Sequence, residues 1–246
     1  MLEREIKERM EIYGSRFRPL VFDCVDSTNT VLAAMARDGA PEHTAVIASM
    51  QTAGRGRGGH SFYSPKDCGV YFSLLLRPSF DAGTAIKLIT PAAATAAARA
   101  ISELSGRRAR IKWVNDILLD GKKVCGILTE AMPDGRGGLE WVIVGAGINV
   151  TEPESGYPEP IRDIAGAVFG TGASPHGSAA AELAVRTLDA FMGLYSQMPR
   201  CSFYEEYLGA QTYTRRPEGM PYGVDSDFRL LVETDGGERL MLTSAG

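Results

Sequence analysis

Histidine and cysteine are scarce in this chain of 246 residues, which holds three of the first and four of the second. His43, His60 and His176 stand far apart, and Cys24, Cys68, Cys125 and Cys201 form no CxxC pair. A zinc cluster, a dithiol redox centre and a serine–histidine triad therefore find no support in the sequence. No apolar run reaches the roughly 20 residues that span a bilayer. The N-terminal MLEREIKERM is charged throughout and lacks the apolar centre of a secretory signal. The expectation is a cytoplasmic protein with reduced thiols and no membrane partner. Positive charge is not in excess either: 26 Lys and Arg face 30 Asp and Glu, for a net charge of -4. That balance argues against binding nucleic acid through bulk charge. Fixed-period repeats and low-complexity tracts are missing as well. What remains is ordinary globular material, 44% hydrophobic and 23% charged, long enough for one large core and a small appendage.

Periodicity divides the chain coarsely. Residues 18–25 (RPLVFDCV) alternate as a half-buried strand, followed by a helix capped by Ser27 or Thr28 and ended by Gly39 and Pro41. Residues 44–51 and 69–78 read as further strands. Pro91 is read as opening an alanine-rich helix that ends near Gly106. Two strands are expected around the Asp120–Gly121 turn, and LEWVIVGAGINV supplies another. A loop over 151–175 and a helix over 178–197 follow, and beyond about residue 209 short strands and tight turns take over. The expected organisation is an extension (1–17), a central domain (18–208) and a small β domain (209–246). The expected class is α+β.

The segment TAGRGRGGHSFYSP breaks every local period. Gly54, Gly56 and Gly59 formally match GxGxxG, but HSFYSPKD follows where a dinucleotide fold would start a helix. Arg55 and Arg57 are better read as guanidinium groups around a carboxylate or phosphate, with the glycines letting backbone N–H groups approach the anion. Such a loop is expected to be mobile when empty and ordered by a bound anion. The bland alternative is a solvated connector.

DSTNT (26–30), QTAGRGRGG (51–59), KWVND (112–116), GKKVCGIL (121–128) and GAGIN (145–149) occur in one order, and as a set they resemble the biotin–protein ligase family. The resemblance covers roughly residues 18–200. It implies a mixed, largely antiparallel sheet with flanking helices, akin to class II synthetases and lipoate ligases, plus a small SH3-like C-terminal domain. That last domain looks abbreviated here, because QTYTRRPEGM (211–220) does not read as a first barrel strand. The implied reaction activates biotin with ATP and Mg²⁺ to biotinyl-5'-AMP and passes biotin to a lysine of a biotin carboxyl carrier domain. With about twenty residues before the first core strand, no helix-turn-helix and no DNA partner are expected, and a homodimer is left open.

Residue by residue, the resemblance implies that Ser27, Thr28, Asn29, Gln51, Gly54, Arg55, Arg57, Lys123 and Gly126 bind biotin. Arg57, Phe62, Asn115 and Asn149 are implied for ATP, and Lys123, Arg57, Asp116 and Lys112 for catalysis. No residue is singled out as a metal ligand, Mg²⁺ being carried mainly by ATP. Several have a plain structural alternative: helix caps for Ser27 and Thr28, core packing for Phe62, a snorkelling strand-edge residue for Lys112, solvated surface for Lys123, a turn for Asn115 and Asp116. Two departures stand out: Phe62 where the family often has Trp, and Val114 where it usually has Pro. The competing readings are a lipoate ligase, a biotin-responsive repressor and a pure binding module.

Overall fold

The computed structural model describes residues 1–170 and 179–243. An eight-stranded sheet organises the molecule. Its strands are β1 (Arg18–Phe22), β2 (Thr44–Ala48), β3 (Gly69–Leu76), β4 (Arg110–Lys112), β5 (Asp116–Leu119), β6 (Lys122–Pro133), β7 (Leu139–Asn149) and β8 (Gln211–Thr212). They lie in the order β1-β2-β3-β7-β6-β5-β4-β8. The outermost pairs, β1 with β2 and β4 with β8, are parallel, and every pairing between them is antiparallel. This is the mixed, largely antiparallel α+β arrangement expected. A second, three-stranded antiparallel sheet is built from β9 (Met220–Val224), β10 (Leu230–Glu233) and β11 (Arg239–Leu242), with β10 in the middle.

Alternation along the strands gives the large sheet two faces. One face carries Ile47, Phe72, Leu74, Ile127, Val144 and Ile148 into the main core, under α3 (Ala82–Ser105) and α4 (Ala179–Tyr195). The helix α1 (Leu2–Tyr13) lies on α4 and buries Ile6 completely. The opposite face carries Val46, Leu75 and Ile143, covered by Leu32 and Ala36 of α2 (Thr28–Arg37). Part of that second face stays uncovered, and the functional residues gather there.

Several details differ from the sequence reading. Pro91 does not open α3. Asp81 caps the helix ten residues earlier, its carboxylate accepting the Thr84 N–H at 2.9 Å and the Thr84 hydroxyl at 2.6 Å, and Pro91 sits buried inside. A buried, well-packed helix tolerates the lost backbone bond. KWVND is not one strand: β4 and β5 form a hairpin whose register sets Lys112 opposite Asp116, with Trp113–Asn115 as the turn. Gln211 and Thr212 join the large sheet beside β4 through the short helix α5 (Tyr204–Ala210), so the smaller sheet starts at Met220. The expected loop through residue 175 and the start of the expected helix at 178 lie partly outside the described residues.

The extension over residues 1–17 is bound to the body by charge as well as by packing. Glu182 of α4 is nearly buried and faces Arg9 at 2.8 Å, Arg186 one turn on, and the Tyr13 hydroxyl. Burial alone would raise its carboxyl pKa, but the Tyr13 and Arg186 hydrogen bonds and the two positive charges outweigh it and hold it below the usual value of 4.5. A depressed carboxylate stabilises the fold above its unfolded pKa and loses that contribution as pH falls through the folded value. Because the arginines are about one-third exposed, removing the charge costs about 1–2 kcal/mol rather than the larger toll of a fully buried pair. Glu182→Gln is therefore expected to lower Tm by roughly 2–8 °C at pH 7. Thermal melts across pH check this: the gap to the parent protein narrows as pH falls from 4.5 through the lower folded-state pKa, and a gap that persists once the carboxyl is protonated contradicts the assignment.

Candidate functional site

Three glycines create the site. In the sheet register Gly147 lies between Tyr71 and Gly126, and Gly145 lies between Ser73 and Leu128. These residues point to the uncovered face, so the sheet there presents bare backbone. Side chains from elsewhere use the space. A Cβ on Gly147 would lie 2.5 Å from Phe62 Cε1, one on Gly126 would lie 3.0 Å from Phe62 Cε2, and one on Gly145 would lie 2.1 Å from Asn29 Oδ1. The Phe62 ring thus rests on the glycine floor, with the edge of Tyr71 beside it and Lys123 Nζ 5.8 Å from its centroid.

The N-terminal end of α2 forms one wall. Ser27 holds the cap position, yet its side chain makes no capping bond. The Thr28 N–H is instead accepted by Gln51 Oε1 at 2.8 Å, and Asp26 accepts the Ser27 N–H at 2.6 Å. Gln51 continues to Ser64 Oγ at 3.0 Å, and Ser64 donates to the Phe62 carbonyl at 2.9 Å. The cap of a helix and the aromatic loop are therefore fastened through one amide.

The glycine–arginine segment is also fastened. Phe62 N–H bonds the Gly54 carbonyl at 2.8 Å, and Gly56 N–H bonds that of His60 at 2.7 Å. Gly54 is a packing glycine: its Cβ would stand 2.4 Å from the Phe62 carbonyl oxygen. Arg55 grips Glu130 with two nitrogens, at 2.7 and 3.3 Å. The anion expected beside Arg55 is thus supplied within the chain by Glu130, and Arg55 is not held open for a ligand.

Two cavities meet over this floor. The narrow one, about 40 Å³, is lined by Ser27, Thr28, Asn29, Gln51, Arg55 and Gly126 among others. The wide one, about 590 Å³, is lined by Asp116, Asn149, Tyr157, Ile161 and Ile164 among others. Arg57, Phe62, Asn115 and Lys123 line both. Of the residues expected at a site, the structure brings all to one cavity or the other except two: Gly54, which packs beneath the loop, and Lys112, which faces Asp116 across the β4–β5 hairpin outside both.

Where the cavities join, the charges concentrate. Lys123 Nζ lies 2.7 Å from Asp116 Oδ1. Asn115 clamps β6 from the side, accepting the Ile127 N–H at 2.9 Å and donating to the Ile127 carbonyl at 3.0 Å. Burial lowers the Arg57 pKa, and the positive charge of Arg216 lowers it further against the pull of Asp116. Arg216 comes from the segment leading into β9 and stacks over Trp113 at 5.7 Å, while the Trp113 indole N–H donates to the Phe228 carbonyl at 2.9 Å. On the far wall of the wide cavity, Asn149 and the Tyr157 hydroxyl both donate to the Gly166 carbonyl at 2.9 Å. Burial drives the Tyr157 phenol well above its usual range.

Sequence reasoning missed Ser73, Glu130, Tyr157 and Arg216. Ser73 had a signal, being the one polar residue inside the apolar run GVYFSLLL. Glu130 had a fainter one, since it follows Gly126 and Leu128 at the strand period of two. Tyr157 and Arg216 had none.

Comparison with known proteins shows the family. Residues 21–149 match the biotin/lipoate A/B protein ligase family. The bifunctional ligase/repressor BirA of Bacillus subtilis is 39% identical over 157 residues, covering 64% of this chain and 47% of that protein. The biotin–[acetyl-CoA-carboxylase] ligase of Paracoccus denitrificans is 40% identical over 138 residues, covering 55% of this chain and 56% of that protein. The chain thus spans about half the length of these relatives. Among solved structures, a biotin protein ligase mutant from Aquifex aeolicus in complex with biotin superposes with a TM-score of 0.75 at 25% identity, covering 93% of this chain and 96% of the other. With the family's matched region spanning the glycine floor, the arginine loop and the Lys123–Asp116 pair, the chain belongs to the biotin/lipoate A/B protein ligase family.

Proposed function

We propose that the chain is a biotin–protein ligase, which joins biotin to AMP and then passes it to a lysine of a biotin carboxyl carrier domain. The observation that carries this reading is the junction at Lys123: a narrow polar slot and a wide cavity share one lysine, one arginine and one aromatic ring. A bipartite reaction needs its two anionic substrates to meet at such a point. The biotin head would enter the slot and ATP the wide cavity. Phe62, which lines both cavities, would be the adjustable wall between them.

In the first step a carboxylate oxygen of biotin bonds to the α-phosphorus, the α–β phosphoanhydride breaks, and pyrophosphate leaves. In the second, a lysine amine attacks the acyl carbon, loses a proton, and AMP leaves. No enzyme nucleophile takes part. Lys123 and Arg57 would offset the charge of the carboxylate and the α-phosphate, and Asp116 would release Lys123 as those anions arrive. Asn149 would meet the purine edge. Among the described residues no cluster of three acidic, histidine or cysteine side chains could hold a metal ion. Asp116 is the sole carboxylate lining the wide cavity among those residues. Asp116 would be the residue to help hold a Mg²⁺ carried on the triphosphate, and the ion would supply charge neutralisation there.

The lipoate alternative is separated by ATP–pyrophosphate exchange. Exchange stimulated by biotin and not by lipoate is expected, followed by a mass increase on a carrier-domain lysine; stimulation by lipoate alone would reverse the choice. Lys123→Ala is expected to slow adenylate formation by about 10²–10³-fold with Tm nearly unchanged, and full activity in that variant contradicts the role given to Lys123. Gly147→Ala, whose new methyl displaces the Phe62 ring, is expected to weaken biotin binding at least tenfold in calorimetric titration, whereas unchanged affinity would show that the ring does not bound the ligand.

A further inference from the structure

Behind the narrow slot runs a chain of hydrogen bonds whose direction can be worked out by counting protons. It starts at Glu130, whose carboxylate, when ionised, only accepts. Glu130 Oε1 takes Arg55 at 2.7 Å and Oε2 takes the Asn29 amide nitrogen at 2.8 Å. The Leu128 carbonyl, another pure acceptor, stands 3.4 Å from the same nitrogen. The orientation of the Asn29 amide is thereby set, and Asn29 Oδ1 faces Ser73 Oγ at 2.6 Å. An amide oxygen cannot donate, so Ser73 must give its one hydroxyl proton to Asn29. Ser73 Oγ also lies 2.7 Å from Thr28 Oγ1. With the Ser73 proton spent, only the Thr28 proton can fill that contact; otherwise two bare lone pairs would face each other. Thr28 Oγ1 also lies 3.2 Å from Gln51 Oε1, which has a second lone pair beside the Thr28 N–H it accepts at 2.8 Å, but giving the proton there would leave the 2.7 Å Ser73 contact without one. Ser73 is fully buried and Thr28 and Asn29 almost so, which shields the middle of the chain from solvent, while Glu130 at its start is 28% exposed.

We infer that Glu130 and Ser73 are positioning residues that hold the Thr28 hydroxyl as an acceptor toward the slot, so the slot selects ligand heads that present an N–H donor. This rests on the reading of the slot as the acid-substrate site and sharpens it: a cyclic urea carries the required donor, whereas a dithiolane ring carries none. A site built around a fixed acceptor rejects an analogue lacking the donor far more strongly than shape alone would. Neither positioning residue touches the ligand; each acts through the next oxygen along the chain.

Glu130→Gln tests the direction directly. Arg55, a pure donor, keeps the new amide's oxygen, which leaves the amide nitrogen facing Asn29. Asn29 must then turn its oxygen toward position 130, Ser73 must donate to Thr28, and the Thr28 proton is displaced from Ser73 and can turn toward the slot, where a ligand acceptor competes with Gln51 Oε1 at 3.2 Å. In the parent protein biotin is expected to bind at least 100-fold tighter than a carbamate analogue with ring oxygen in place of one ureido N–H. In Glu130→Gln that ratio falls at least tenfold, through KM for biotin, with kcat within threefold. Ser73→Ala gives the same loss of discrimination without touching the Arg55 pair. An equal loss for both ligands, or an unchanged ratio in folded variants, overturns the inference. A second arm needs no substrate: neutron diffraction of the parent protein is expected to show the Thr28 deuteron directed at Ser73, and a deuteron directed into the slot overturns the relay. Should that arm succeed while biotin gives no exchange activity, the substrate assignment fails and the relay stands.

Discussion

The site depends on a constraint that is easy to overlook in a sheet, namely a patch where no side chain is allowed. Gly126, Gly145 and Gly147 are neighbours across β6 and β7, and any one of them bearing a methyl would collide with Phe62 or Asn29. Glycine inside strands weakens them, and this sheet compensates with long apolar runs on its other face, where α3 and α4 lie over Ile127, Val144 and Ile148. The division of labour is between faces: one supplies stability, and the other gives up packing to make room.

Once the patch exists, the remaining parts can be placed at short range. The loop carrying Phe62 is tied down at Gly54, Gly56 and Arg55, and α2 is tied to the same loop through Gln51. Most of the order that a ligand would otherwise have to impose is already present. The charged groups at the junction also hold each other: Lys123 has Asp116, and Arg57 is balanced between Asp116 and Arg216. Anionic substrates would therefore exchange one set of partners for another instead of entering a field of bare cations, which moderates affinity while keeping geometry.

Much of this was legible beforehand, for identifiable reasons. The strands showed because those buried on both faces, β2, β3 and β7, read as continuous apolar runs while the edge strand β1 alternates, and the glycine motifs showed because GAGIN and GKKVCGIL keep their spacing. Less visible was anything decided by tertiary proximity. The sequence could not say that Arg55 would find Glu130, 75 residues away, and so the loop read as two cations awaiting an anion. Pro91 misled because proline is a helix starter by local rule, while the Asp81 cap and the surrounding core overruled that rule. QTYTRRPEGM was rightly read as no barrel strand, but nothing local indicated that Gln211 and Thr212 would extend the large sheet beside β4 or that Arg216 would stack on Trp113.

The placement of Trp113 has an optical consequence. The chain has two tryptophans, and they sit in different surroundings: Trp141 in the apolar layer beneath α2, and Trp113 in the turn two residues before Asn115, its indole bonded to the Phe228 carbonyl and covered by the Arg216 guanidinium. Emission from Trp113 is set by the same hydrogen bond and the same cation that join the small sheet to the charged junction. The protein thus carries a native fluorophore at the seam between its two sheets, where the spectrum records whether the seam is closed.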